Sequence, residues 1–222
     1  MLGFPPSMRS RVAVPRLFLC IMWCLGAAYA RAAQDTTVRL EGDGHLGAAA
    51  DEYRGTSAAY GYEGTPYSVV PAMIDLARIG SDDVVYEPGC GDARVLIAAM
   101  NAGARSGVGV DIDPDLAEVA YAAVKSAGMR DKVEIRWGNA LTVDMSKASV
   151  VFLFMGEPFN LVLRPLLWKQ LPVGARVVSN DFAMGDWKPD RTVRVETPGR
   201  TYTLYLWTIT QEVKARAARS AN

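Results

Sequence analysis

Residues 84–94 read VVYEPGCGDAR, and this stretch decides the fold of the chain. Three apolar residues are followed by Glu87, then by Gly89 and Gly91 on either side of Cys90, and a helical pattern begins after them. This order is typical of a buried strand that turns sharply into a helix, because closely spaced glycines turn the backbone without Cβ clashes and let a ligand approach it. The free N–H groups and the positive dipole end of that helix favour a nucleotide-like ligand.

The alternation of strand and helix repeats along the chain. Short apolar runs predict strands, and the segments between them carry apolar residues at helical spacing. The first helix is expected to begin after a cap at Thr65 or Ser68. At the end of the chain two β-rich runs are separated only by a turn with Pro198 and Gly199, which predicts an antiparallel hairpin. The strands are predicted at residues 83–86, 107–110, 133–137, 150–154 and 176–179, and the hairpin at 192–196 and 201–210.

This order of elements predicts an α/β fold with a Rossmann-like sheet, mostly parallel, with helices on both faces and a C-terminal antiparallel hairpin. Ligands of such sheets bind beyond the carboxyl ends of the strands. A chain of 222 residues with 50% hydrophobic and 22% charged residues suits one globular domain. We expect this domain at residues 62–212, after a flexible linker at 31–61 and before a solvated basic tail at 213–222.

The first 30 residues have the pattern of a secretory signal peptide. Arg9, Arg11 and Arg16 precede an apolar stretch at residues 17–30, and the first acid of the chain is Asp35. Fourteen apolar residues are too few to span a bilayer, which takes about 20. We therefore expect cleavage after residue 30 and export, for example to the periplasm. The alternatives are an uncleaved anchor, which would associate the protein with a membrane, and an organellar presequence.

Charge argues against a nucleic-acid partner. The chain has 24 basic and 24 acidic residues, and three of the basic ones lie in the first 30 residues, so the mature chain would carry three more acids than bases. Proteins that bind nucleic-acid phosphates usually carry a strongly basic surface. No metal site is expected either, because the sequence has a single histidine and no Cys-x-x-Cys pair.

The glycine turn departs from the dinucleotide-binding pattern. A nicotinamide dinucleotide favours a third Gly or Ala five residues after the first glycine, so that helix and strand pack closely. That position holds Arg94. Glu87, two residues before the first glycine, is also unfavourable beside a pyrophosphate but suits a cationic ligand. A dinucleotide oxidoreductase is therefore the weaker interpretation.

The same residues resemble the first motif of the class I S-adenosylmethionine-dependent methyltransferases, acid-x-Gly-x-Gly-x-Gly, with Ala93 in place of the third glycine. The resemblance covers roughly residues 62–210 and implies that S-adenosyl-L-methionine is the cofactor. Asp111, at the end of the second strand, would accept the ribose hydroxyls. Ile112 would lie against the adenine ring. The resemblance thus places the cofactor against Glu87, Gly89, Cys90, Gly91, Asp111, Ile112, Asn139 and Ala140.

A narrower resemblance involves the segment before the first helix. Tyr62, Gly64, Thr65 and Pro66 look like the Tyr-x-Pro-Thr/Ser-Pro entry of a methyltransferase group, with glycine replacing its first proline. That group includes bacterial proteins and the mitochondrial protein-lysine methyltransferases of the ATP synthase c-subunit and the adenine nucleotide translocase. The resemblance adds Thr65 to the cofactor site and implies an amine acceptor such as a protein lysine.

Methyl transfer from a sulfonium needs an acceptor held in line with the methyl group. Positioning of this kind is worth ~7 to 11 kcal/mol of the barrier. An amine must also lose a proton, and Glu157 and Asp181 are the carboxylates predicted to assist. Each has a structural alternative: Glu157 flanks a helix and Asp181 binds backbone N–H groups in a loop. Residues 156–159 read GEPF, where methyltransferases of DNA or glutamine carry Asn/Asp-Pro-Pro-Tyr/Phe.

Two interpretations of the whole chain follow. The first is an S-adenosylmethionine-dependent methyltransferase acting on an amine. The second is a non-catalytic scaffold of the cell envelope that keeps the fold, which Ala93 and the predicted export both favour. The sequence does not identify the methyl acceptor, because acceptor pockets are built from variable loops.

Overall fold

The structure is a computed structural model, and it describes residues 62–220. The predicted signal peptide at residues 1–30 and the predicted linker at 31–61 lie outside the described residues, and both remain predictions. No helix within residues 62–220 has the length and apolar character needed to cross a bilayer.

The sheet has seven strands in the order β3-β2-β1-β4-β5-β7-β6. The first five strands are parallel, and β7 is antiparallel to both β5 and β6. The predicted Rossmann-like sheet with its C-terminal hairpin is therefore confirmed. The strands are β1 Val84–Pro88, β2 Ser106–Asp111, β3 Val133–Trp137, β4 Val150–Leu153, β5 Arg176–Asn180, β6 Arg191–Thr197 and β7 Arg200–Thr208.

The helices follow from local sequence signals. The clearest example is the helix after β2, where Asp113 accepts a hydrogen bond from the backbone N–H of Asp115 and Pro114 occupies the first turn, where no N–H is needed. The described helices are α1 Val70–Ala77, α2 Arg94–Asn101, α3 Pro114–Ser126, α4 Glu157–Gln170 and α5 Gln211–Ser220, with one 3-10 turn at Ala140–Thr142.

Two apolar layers cover the two faces of the sheet. On one face α1, α2 and α3 pack on residues such as Val85, Phe152 and Val178. On the other face α4 packs on residues such as Val151 and Val177. The central strands are buried on both faces, as expected for parallel strands between helices. Their carboxyl ends are consequently the accessible part of the sheet, and the loops there form the site.

The amino edge of the sheet is held by a partly buried ion pair. Asp83 pairs with Arg176 of β5, and its carboxylate also accepts hydrogen bonds from Ser149 Oγ at 2.7 Å and Gly80 N at 2.7 Å. Arg176 in turn donates to the carbonyl of Arg78 after α1, at 2.9 Å. These contacts connect the starts of β1, β4 and β5 with the end of α1.

One local prediction is wrong, and another segment has more structure than its sequence indicates. Helix α1 begins at Val70 with Val69 as its N-cap and no side-chain cap, because the carbonyl of Pro66 accepts from both residues; neither Thr65 nor Ser68 caps it. Most of the predicted basic tail forms α5, and its described side chains are exposed or half-exposed. Lys214 of this helix donates to the carbonyls of Lys169 and Leu171, and the guanidinium of Arg216 lies 4.8 Å from the ring of Trp168.

Candidate functional site

The glycine loop joins β1 to α2 in a left-handed conformation. Gly89 has a φ of 68°, Gly91 has 53° and Ala93 has 61°. The N–H groups of Gly89 and Cys90 donate to the carbonyl of Val110 on β2, at 2.7 and 3.1 Å. The position where the motif carries its third glycine thus needs the left-handed conformation. Ala93 adopts it at a cost of ~1 to 2 kcal/mol, with its methyl group fully buried.

Asp111 links the end of β2 to this loop. Its side chain is buried, one carboxylate oxygen accepts from Gly91 N at 2.9 Å, and the other accepts from Asp113 N at 3.0 Å. Burial raises the pKa of this carboxyl, and the two N–H groups act in the opposite direction. Each oxygen keeps a second acceptor position. The structure therefore places Asp111 where it can hold the loop and accept ligand hydroxyls together.

Glu87 is the ionisable group beneath the loop. It is buried at the end of β1, and its Oε2 atom has no hydrogen-bond partner within the described part of the chain. Burial raises the pKa of Glu87 well above its ordinary value, although a hydrogen bond from the backbone of Leu96 opposes the shift. An unpartnered carboxylate oxygen in a buried position requires an explanation. A cationic ligand such as a sulfonium amino acid fits it. The neighbouring thiol of Cys90 is buried too, and burial raises its pKa.

A small cavity of about 20 Å³ lies between the glycine loop and residues 62–65. This volume holds about one water molecule and is far too small for a nucleoside. Two side chains fill the space over the glycines: a Cβ at Gly91 would lie 2.5 Å from the ring of Tyr62, and one at Gly89 would lie 1.9 Å from the sulfur of Met155. Both side chains must therefore move before a nucleoside can contact this backbone.

Residues 62–67 are fastened over the site by Arg94. Its guanidinium donates to the carbonyl of Thr65 at 2.9 Å, pairs with Asp92 at 2.6 Å and lies 4.4 Å from the centre of the Tyr67 ring. The hydroxyl of Tyr62 accepts from Asp92 N at 3.3 Å. Thr65 itself is buried and lines the cavity. Arg94, whose position in the motif argued against a dinucleotide, thus holds this segment. The sequence does not reveal this role, because Arg94 and Thr65 are 29 residues apart.

The predicted adenine contacts lie at the ends of β2 and β3. Asn139 caps the 3-10 turn, and its side-chain oxygen accepts from Leu141 N at 2.9 Å, so its NH2 group is the part that can reach a ligand. Ile112 is half-buried, and its carbonyl accepts from Trp137 Nε1 at 3.1 Å. Ala140 is buried at the start of the turn. The structure brings these residues to the same edge of the sheet as Asp111.

The two predicted catalytic carboxylates lie outside the cavity. Glu157 is exposed at the first position of α4, after β4. Asp181 follows β5 with a left-handed φ of 59°; one of its oxygens accepts from Thr203 N at 2.7 Å and the other pairs with Arg200 at 2.7 Å. Asp181 therefore has the structural role of binding backbone N–H groups in a loop. The general-base role of both residues remains a prediction.

Phe154 belongs to the site and was not predicted from the sequence. It follows β4, lines the cavity together with Glu87 and Gly89, and stacks on Phe182 with 5.6 Å between the ring centres. An aromatic residue at the end of an apolar strand looks like ordinary core, which is why its sequence context gave no signal. The structure adds an aromatic wall on the β4 side of the glycine loop.

Comparison with known proteins places this geometry among methyltransferases. A family model described as the ANTKMT methyltransferase domain matches residues 87–191. A protein-lysine N-methyltransferase of Saccharolobus islandicus is 38% identical over 149 residues, which are 67% of this chain and 92% of that protein. The mouse adenine nucleotide translocase lysine N-methyltransferase is 30% identical over 58% of this chain and 56% of its own length.

One solved methyltransferase structure is also similar to this chain. An RNA methyltransferase from Salinibacter ruber, determined in complex with S-adenosyl-L-homocysteine, is 45% identical to the chain. The match covers 67% of this chain and 95% of that one, with a TM-score of 0.63.

Proposed function

The chain belongs to the class I S-adenosylmethionine-dependent methyltransferases of the ANTKMT family, and from this premise we propose that it methylates the side-chain amine of lysine residues in proteins. Family membership replaces the dinucleotide oxidoreductase interpretation. It also removes the argument for a non-catalytic scaffold that rested on Ala93, because this alanine adopts the backbone conformation of the motif.

The observation that carries the proposal is the buried, unpartnered carboxylate oxygen of Glu87 beside the glycine loop. S-adenosylmethionine, when bound, supplies a methyl group activated by a sulfonium. In the chain itself, Glu87 offers its unpartnered carboxyl oxygen to the cationic part of the cofactor, whose positive charge favours the ionised form of the carboxyl, and Asp111 offers its free acceptor positions to the ribose. Gly89 and Gly91 allow the close approach of the ligand to the backbone.

The acceptor is proposed to enter from the side of β4 and β5. The residues that fit the cofactor end β1, β2 and β3, and the strand order reverses between β1 and β4. Ligands of open α/β sheets bind at this reversal. Phe154 and the exposed side chains of Met155 and Glu157 line the edge that remains. A carboxylate at the mouth suits an amine, which must lose a proton before transfer.

A protein lysine is favoured over other amines by the two relatives named for lysine methylation. RNA is the competing acceptor, because the Salinibacter ruber protein is described as an RNA methyltransferase. Residues 156–159 read GEPF and lack the Asn/Asp-Pro-Pro-Tyr/Phe tetrapeptide of enzymes that methylate nucleobase amines.

The test is a methyl-transfer assay with the full chain and isotope-labelled S-adenosylmethionine. Casein serves as the lysine-bearing acceptor and total RNA as its competitor, with mass spectrometry to locate the methyl groups. The Asp111→Ala variant is the control for a contaminating enzyme. We expect methylated lysines in casein with the wild-type chain only. Label in RNA nucleotides and none in casein would refute the lysine proposal.

We also propose that residues 1–30 direct export of the protein or anchor it to a membrane. Support comes from the arginine-rich start and the short apolar stretch of the sequence. Mass spectrometry of the mature N-terminus after cell fractionation tests it. An intact residue 1 on protein found in the cytoplasmic fraction would contradict both versions.

A further inference from the structure

Asn180, the last residue of β5, has a side chain without a hydrogen-bond partner in the part of the chain that the structure describes. Its relative exposure is 0%, and neither Oδ1 nor Nδ2 has a hydrogen bond within residues 62–220. Asn160 of α4 is equally buried, but its Nδ2 donates to Ser179 Oγ at 3.1 Å and to the carbonyl of Phe182 at 3.1 Å. Asn160 Oδ1 also lacks a partner within residues 62–220, so that amide is satisfied at its nitrogen only, whereas Asn180 is unsatisfied at both atoms.

The surroundings of Asn180 in the sheet are apolar. Side chains alternate along a strand, so Asn180 lies on the face of Val178, opposite to that of Ser179. Its register partner on β7 is Leu204, which belongs with Val178 to the core layer under α1. On β4 the paired positions end at Leu153 and Ser179, and Phe154 follows one residue later, level with Asn180.

An apolar side chain would avoid the cost of this burial. A buried polar atom without a partner loses its hydration and gains nothing, whereas an apolar group of the same shape is nearly neutral. Leucine has the branched shape of asparagine. An amide at this position therefore needs a reason outside the folding of the domain, and a polar ligand provides one.

The position of Asn180 selects the acceptor over the cofactor. Glu87, Asp111 and Asn139 end β1, β2 and β3, all on one side of the strand reversal, and β5 lies on the other. Phe154 lines the cavity beside Glu87 and stacks on Phe182, two residues after Asn180. Asn180 therefore ends β5 on the acceptor side of the reversal, level with Phe154 of the aromatic wall.

We propose that the carboxamide oxygen of Asn180 accepts an N–H of the acceptor amine and thereby orients the nitrogen lone pair towards the methyl group. The inference rests on the proposed lysine methylation and names the residue that binds its amine. In the reaction the nitrogen lone pair forms the bond to the methyl carbon, the carbon–sulfur bond breaks, and its electron pair stays on sulfur. The proton on nitrogen leaves to water. Asparagine takes no proton, so its contribution is positioning.

The test compares three variants of the full chain. Asn180→Leu removes the amide and keeps its shape, and Asn180→Ala is the second variant in case leucine does not fit. Ser179→Ala is the matched control, since it deletes a buried hydrogen bond on the opposite face. For each, Tm, the Kd for S-adenosylmethionine by calorimetry and kcat/KM for casein are measured.

The two kinds of variant should differ in which quantity they lower, kcat/KM or Tm. Asn180→Leu should lower kcat/KM for casein about tenfold or more, with the cofactor Kd within about twofold and Tm unchanged or raised. Ser179→Ala should lower Tm and leave kcat/KM within about twofold. Wild-type kcat/KM in Asn180→Leu and Asn180→Ala would overturn the proposal. So would a loss of cofactor affinity that accounts for the whole effect.

A second measurement keeps this inference separate from the proposed function. If the wild-type chain does not methylate casein, lysine methylation fails. Asn180 is then tested with n-butylamine titrated by NMR into the complex with S-adenosylhomocysteine. Binding by the wild type that Asn180→Leu loses would support amine recognition at β5. Equal binding, or none by the wild type, would overturn it.

Discussion

Replacement of Asp111 by alanine tests the cofactor site most directly. The carboxylate already accepts from Gly91 N at 2.9 Å and from Asp113 N at 3.0 Å, and each oxygen keeps an acceptor position for a ribose hydroxyl. Hydrogen bonds to a charged group contribute ~1.5 to 3 kcal/mol, so we expect the Kd for S-adenosylmethionine to rise about 10- to 150-fold. Isothermal titration calorimetry measures this change.

Two further variants separate the ligand contact from the support of the loop. Asp111→Asn keeps one acceptor oxygen and the side-chain shape, and it should weaken binding less than alanine does. Asp113→Ala is the control, because it removes the same charge two residues away. It loses the N-cap of α3, worth ~1 kcal/mol of stability. The backbone N–H of residue 113 still donates to Asp111. The cofactor Kd should then stay within about twofold. An unchanged Kd in Asp111→Ala would refute the assignment of the ribose to this carboxylate.

Three other predictions concern the glycine loop and its cover. Burial raises the pKa of Glu87 well above 4.5, so the folded protein keeps a proton that the unfolded chain loses. The free energy of unfolding should therefore fall as pH rises from about 4.5 towards the raised pKa. Glu87→Gln should remove this slope, which urea unfolding at a series of pH values measures. Ala93→Gly relieves ~1 to 2 kcal/mol of left-handed backbone strain. It also loses a buried methyl group worth ~0.8 kcal/mol and adds flexibility to the unfolded chain. Tm and the cofactor Kd should therefore hardly change, and a tenfold change in Kd would contradict this. Arg94→Ala should increase amide hydrogen exchange in residues 66–70, whereas Arg136→Ala, which breaks an exposed pair on β3, should not; equal exchange in both would show that Arg94 does not hold the segment.

The elements that the sequence predicted are those with local signals. Glu87, Gly89 and Gly91 define a strand, a tight turn and a helix within a few residues, so β1 and α2 could be placed without the structure. The hairpin followed from the absence of a helical pattern around Gly199. Asp111 could be located because it ends a strand with a plain apolar run, and Asn139 because Gly138 marks the end of the strand before it.

The parts that the sequence did not predict depend on contacts between distant residues. Helix α5 has only Val213 and Ala217 as apolar positions packed on the core, and its basic residues hide this short pattern. The cover of Tyr62 over Gly91 joins residues 29 positions apart. The isolation of Asn180 is visible only when β4 and β7 are placed on either side of β5, since asparagine after a strand is usually a loop residue.

The ion pair of Asp83 and Arg176 has a consequence for how acceptor specificity can change. It joins β1, β5 and α1 at the amino edge, whereas the loops after β4 and β5 lie at the carboxyl edge. Arg176 is partly exposed, so breaking the pair should cost less than the ~3 to 5 kcal/mol of a fully buried pair; the contacts of Asp83 and Arg176 together still limit variation at the amino edge. The loop after β5 carries contacts of its own, since Met184 and Trp187 are buried and the carbonyl of Trp187 accepts from Trp207 Nε1 at 2.7 Å. Grafting segments 154–159 and 181–190 from a relative should therefore transfer substrate choice to a frame that still folds only if Asp181, Met184 and Trp187 are kept.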